Sequence, residues 1–80
     1  MPVRQDFAAV WRYLSANAQD GVVCEEFGCL ARKITRFAGF PCSGSKIRVC
    51  LDVFQEQGLV QLEQRPKTLL IRLCADGRKV

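Results

Sequence analysis

The chain has 80 residues, 49% hydrophobic and 25% charged, with a formal net charge of +4 and a pI near 9.0. That length allows one domain, which buries only about 60–65% of its unfolded surface and needs its apolar positions to converge on one small core. No apolar run approaches the ~18–20 residues of a membrane span, Arg4, Gln5 and Asp6 stand where a signal peptide turns apolar, and histidine is absent, so a cytoplasmic, noncatalytic domain with no membrane partner is expected.

Asp6 is placed to cap a first helix over 7–17, where Phe7, Val10, Trp11 and Leu14 repeat at the i, i+3, i+4, i+7 spacing of one buried face. Trp11 is large enough to anchor a core of this size. Tyr13 lies about 110° from the centre of that stripe and is expected on the surface, free to contact a partner. Gln19-Asp20-Gly21 closes the helix, and Val22-Val23 forms a short strand able to join a later hairpin. A second helix is expected over 25–37, burying Phe27, Leu30, Ala31 and Ile34, with Glu25 and Glu26 at its start complementing the macrodipole. Gly28 inside it costs up to about 1 kcal/mol relative to alanine. Gly39-Phe40-Pro41 ends it in a turn.

A third helix follows over 43–57, capped by Ser43 or Ser45 and stopped by Gly58 in a left-handed conformation. Ile47, Cys50, Leu51 and Phe54 form its buried stripe. Strand-like runs over 59–63 and 68–73 flank Gln64-Arg65-Pro66-Lys67, where Pro66 pre-sets a turn. Helix, turn, helix, hairpin is the order of an α+β winged helix-turn-helix. Three helices precede an antiparallel wing of two strands, or of three if Val22-Val23 joins it. The domain is expected over 1–75, and 76–80 as a linker or chain end.

Little in the chain supports chemistry of its own. Cys24, Cys29, Cys42, Cys50 and Cys74 are odd in number and lack CxxC spacing, so they are expected as small apolar fillers without disulfides or metal. Without histidine, neither a Ser-His-Asp nor a Cys-His arrangement can form. No cofactor is expected in the domain.

The cations are more informative. Arg32, Lys33 and Arg36 fall on the second helix, Lys46 and Arg48 open the third, and Arg65 and Lys67 sit on the wing. In a winged helix these regions can share one side, where such a group contacts phosphates and releases counterions. The third helix, in the recognition position, turns Val49, Asp52 and Glu56 outward, with Val53 on the flank. Carboxylates there oppose the phosphates on either side of a groove. Weak, nonspecific binding of single- or double-stranded DNA through phosphates is therefore expected of a monomer. A protein-interaction module built on Tyr13, Val49 and Val53 is the alternative. A free-standing transcription regulator comes third, for want of a polar recognition face.

Two blocks carry a family likeness. Arg4-Gln5-Asp6-Phe7-Ala8-Ala9-Val10-Trp11-Arg12-Tyr13-Leu14 is similar to the opening of the C-terminal domain of RecJ-type single-stranded-DNA-specific exonucleases from Gram-positive bacteria. Leu51-Asp52-Val53-Phe54-Gln55-Glu56-Gln57-Gly58-Leu59-Val60 resembles a later block of the same domain, and Gly77-Arg78-Lys79-Val80 resembles the start of its tail. The resemblance implies an accessory winged-helix domain in DNA repair and recombination, docked on the core of a 5′-to-3′ exonuclease. Mn²⁺ or Mg²⁺ and the catalytic motifs would belong to that parent enzyme, and no catalytic residue passes to this chain.

Overall fold

The computed structural model describes residues 3–74. The expected tail over 76–80, with Gly77-Arg78-Lys79-Val80, lies outside the described residues. Helix α1 spans Arg4–Asn17 and starts three residues before the expected position. Val3, in extended conformation, is its N-cap. Asp6 is therefore not the cap: it sits in the first turn, 4% exposed, and its Oδ2 accepts the Val3 N–H at 2.8 Å. The carboxylate still satisfies an orphan donor and complements the positive end of the helix, from one turn further in.

Strand β1 spans Val22–Glu25 and runs two residues beyond Val22-Val23, so Glu25 is extended rather than helical. Its pairing with Leu69 is the reason, because the strand continues as long as a partner is present. Helix α2 accordingly spans Phe27–Ala38, with Glu26 as N-cap and Gly39 ending it at φ 82°. Helix α3 spans Gly44–Glu56. Ser43 caps it, its Oγ accepting the Lys46 N–H at 3.2 Å. At the far end Gly58 takes φ 78°, its N–H donates to the Gln55 carbonyl at 3.0 Å, and the Leu59 N–H donates to the Phe54 carbonyl at 2.8 Å. This is a Schellman close, which requires a residue free to turn left-handed.

Strands β2 (Val60–Gln64) and β3 (Leu69–Leu73) form the hairpin, and β1 adds to β3, giving an antiparallel sheet ordered β1-β3-β2. The Arg65 N–H donates to the Thr68 carbonyl at 2.8 Å, and the Gln64 side-chain amide donates to the Arg65 and Thr68 carbonyls, so the wing turn is tied on both sides. Gln55 reaches from α3 to accept the Leu62 N–H at 2.9 Å, which occupies one donor of the outer β2 edge.

Three helices and the inner face of the sheet enclose one core. Val10, Leu14, Leu30, Ile34, Ile47, Leu51, Val60 and Ile71 are completely buried within it. All four residues of the expected α3 stripe are buried, whereas Phe27 and Ala31 of α2 are only partly so. Trp11 does not occupy the centre. Aliphatic side chains fill that space, and Trp11 and Phe7 close the rim edge-on against Phe54, at ring-centroid distances of 5.3 and 5.9 Å. No helix of the described residues is long and apolar enough to cross a membrane.

Candidate nucleic-acid interface

On α2 the side opposite Leu30 and Ile34 is cationic. Arg32, Lys33 and Arg36 all reach solvent there. Arg32 and Arg36, one turn apart, border a shallow depression of about 500 Å³ with Ala31, Thr35 and Cys42. The Cys42 thiol is pushed up by burial and by the Asp6 carboxylate, while Lys46 pulls it down, so the Lys46 ammonium acts on the same spot. Arg32 and Arg36 thus line the depression beside Cys42, Lys46 follows in the first turn of α3, and none of the three has a carboxylate partner among the described residues.

The other expected cations of the helices and the Arg65 of the wing are engaged. Lys33 Nζ lies 2.7 Å from Glu25 Oε1, Arg48 Nε 3.4 Å from Asp52 Oδ1, and Arg65 Nε 2.8 Å from Glu63 Oε2. Arg48–Asp52 and Arg65–Glu63 are exposed on both sides, where such pairs contribute roughly 0–1 kcal/mol and a phosphate can displace the carboxylate. Lys33 is held differently, because Glu25 is half-buried and anchored from below. The hydrogen bond to Glu25, and then its charge, raise the ammonium above its ordinary value.

The anchor is Tyr13, which is not on the surface. It is 5% exposed, and its hydroxyl donates to Glu25 Oε2 at 2.7 Å. Its ring packs edge-on against Phe37 at 5.7 Å. The expected surface position followed from the stripe of α1 alone. In the fold β1 and α2 cover that flank, so a ring 110° off the stripe still enters the core. Burial first, and then the Glu25 hydrogen bond, push the phenol above its usual range.

Of the three residues expected to meet a protein partner, Val49 is 40% exposed, Val53 is half-buried and Tyr13 is withdrawn. Phe37, 48% exposed, is an apolar surface residue that the sequence did not single out. It follows Ile34 by three and Leu30 by seven, a spacing that assigns it to the core. It lies on the last turn of α2, where one side of its ring packs edge-on against Tyr13 of α1 and the rest stays open to solvent.

The wing approaches α2 from the other end. Glu25 pairs with Leu69, and the Cys24 thiol lies 3.5 Å from Thr68 Oγ1, so the wing tip stands beside the start of α2. Lys67 is exposed there with no carboxylate partner among the described residues. The cysteines are all free, and no group of three or more metal-ligating side chains occurs among the described residues.

Three helices with this hairpin, and a first strand completing its sheet, define a winged-helix domain. The chain superposes on solved structures of hsRosR complexes. With hsRosR-S1 the TM-score is 0.66 at 15% identity, over 99% of this chain and 64% of that one. With hsRosR-S4 it is 0.65 at 16% identity, over 98% and 62%. The chain therefore spans less than two-thirds of either neighbour, and at such identity the likeness is one of fold. No protein-family model and no curated protein matches the sequence. Both neighbours being hsRosR, the likeness to RecJ-type exonucleases stands on the sequence blocks alone.

Proposed function

We propose that the chain is a noncatalytic winged-helix domain that binds DNA through its phosphates. Arg32 and Arg36 on α2, Lys46 in the first turn of α3 and Lys67 on the wing are the primary contacts. Lys33, Arg48 and Arg65 are cations already occupied by carboxylates. The observation that supports this most is the pair of arginines, Arg32 and Arg36, lining one depression without carboxylate partners, with Lys46 on the adjoining first turn of α3. The outward side of α3 presents Ser45, Val49, Asp52 and Glu56, which offers little to hydrogen-bond base edges, so binding depends little on sequence.

A free-standing DNA-binding regulator requires only this fold, in which a helix-turn-helix docks on DNA. An exonuclease accessory domain additionally requires a parent enzyme, with its Mn²⁺ or Mg²⁺, whose trace is confined to the sequence blocks. Both superposed structures are of hsRosR, which supports the free-standing DNA-binding reading and lends nothing to the accessory role. Titration of labelled single- and double-stranded DNA at low and moderate salt tests the binding itself. Binding that weakens as salt rises is expected. Absence of binding at low salt, or binding indifferent to Arg32→Glu with Lys46→Glu, overturns the proposal.

A further inference from the structure

The depression beside the α2–α3 turn has a composition that phosphate binding alone does not need. Its floor is Ala31, Thr35 and Cys42, with Arg32 and Arg36 at the rim. The floor offers no free side-chain polar atom. The Thr35 hydroxyl accepts the Cys42 N–H and donates to the Cys42 carbonyl, both at 3.1 Å, and the Cys42 thiol points to the Phe40 carbonyl at 3.6 Å. What remains is a small apolar surface edged by two guanidinium groups and open to solvent. It is shallow, so a small flat group rests on it rather than being enclosed.

Paired DNA cannot use such a place, because its bases are stacked inside the duplex and only its phosphates reach the rim. An unpaired nucleotide uses all of it. Its base lies on the apolar floor and against a planar guanidinium, while its phosphate bridges Arg32 and Arg36. With no donor or acceptor on the floor to query base edges, any base is accepted. Resting on the DNA-binding reading above, we infer that this depression seats one unpaired nucleotide, so that the domain favours single strands, gaps and frayed ends over duplex.

Fluorescence anisotropy on the full chain tests this with three labelled probes. These are an oligothymidylate of about 15 nucleotides, within the span of known single-strand sites, an abasic strand of equal length, and a hairpin duplex. The thymidylate is expected to bind roughly threefold more tightly than the abasic strand, the scale of one exposed guanidinium–π contact. Arg32→Lys with Arg36→Lys keeps both charges and removes both planar groups, so it should bring the ratio of thymidylate to abasic affinity toward one, whatever it does to either affinity alone. Equal affinity for thymidylate and abasic strands in the unaltered protein overturns the inference, as does an unchanged ratio in the lysine variant. Failure of all three probes to bind overturns instead the DNA reading on which it rests.

Discussion

Helices α2 and α3 are built alike and present opposite characters to solvent. Each buries an aliphatic stripe against the same core, Leu30 and Ile34 on one, Ile47, Cys50 and Leu51 on the other. In α2 three cations, Arg32, Lys33 and Arg36, are accompanied by no carboxylate, a balance of +3. In α3 Lys46 and Arg48 are matched by Asp52 and Glu56, a balance of 0, and Arg48 is tied to Asp52. The place of a helix in a winged fold therefore does not decide what it touches. The helix in the recognition position neutralises its own charge, and the helix before it does not.

The largest test of this contrast is reversal of the unpaired cations. Arg32→Glu with Arg36→Glu should reduce DNA affinity by well over tenfold at low salt. It should also lower the slope of log affinity on log salt by about 2, close to 0.9 for each phosphate that is no longer neutralised. Arg48→Glu, already compensated in the unaltered protein, should have a much smaller effect. Equal reductions from the two changes would show that both helices face the phosphates alike, and the contrast would fail.

Within α2, Lys33 differs from its neighbours because of Tyr13 and Glu25. Tyr13→Phe leaves a half-buried carboxylate oxygen without its donor and should cost about 1–3 kcal/mol, visible as a lowered Tm in thermal unfolding. The pH dependence has a definite sign. The folded state holds the Tyr13 proton more tightly than the unfolded chain does. Its contribution is therefore complete below the ordinary value of 10.0 and is lost as pH rises above it. The Phe variant should show a flatter alkaline fall in stability. An unchanged Tm together with an unchanged alkaline limb would mean that the hydroxyl does not anchor Glu25.

Periodicity and turn chemistry made most of the fold legible. Gly58 and Ser43 are local devices whose residue types act on their own backbone, and each stands where the sequence placed it. The wing turn does too, except for Gln64, which pairs with Leu69 and ends β2. What escaped was decided by neighbours distant in sequence. Glu25 became a strand residue because Leu69 lies opposite it, and Tyr13 was buried by β1 and α2. Phe37 meets Tyr13 of α1 on one side only and stays half exposed. The candidate site divided in the same way. The cations were visible as residue types, but their carboxylate partners were visible only where the spacing is local, as in Arg48–Asp52 at i, i+4. The Lys33–Glu25 pair depends on the strand, and the Ala31–Thr35–Cys42 floor depends on the turn.

A smaller effect separates held from free cations. Glu25→Gln keeps an acceptor for the Tyr13 hydroxyl and removes the charge that holds Lys33. The released ammonium should add one phosphate contact, a gain in DNA affinity at low salt with a salt slope steeper by about 1. A fall in affinity would mean that the pair positions Lys33 for DNA rather than withholding it.

The smallest expected effect lies on α3 and decides between DNA and protein as partner. Val49 is 40% exposed, so Val49→Asp should alter stability by no more than about 0.5 kcal/mol. If α2 carries the DNA contacts, the added carboxylate stands on the side already occupied by Asp52 and Glu56, and affinity should fall by only a few-fold. If the outward side of α3 is instead a docking surface, a charge placed beside Val53 must desolvate on association, and self-association or partner binding should collapse while the fold persists. Sedimentation of the variant at high concentration, set beside its DNA titration, reads both outcomes. Unaltered association with a modest fall in DNA affinity leaves the contrast between the helices intact. Collapse of association with DNA binding untouched assigns α3 to a protein partner and α2 to DNA, which makes the contrast a division of labour.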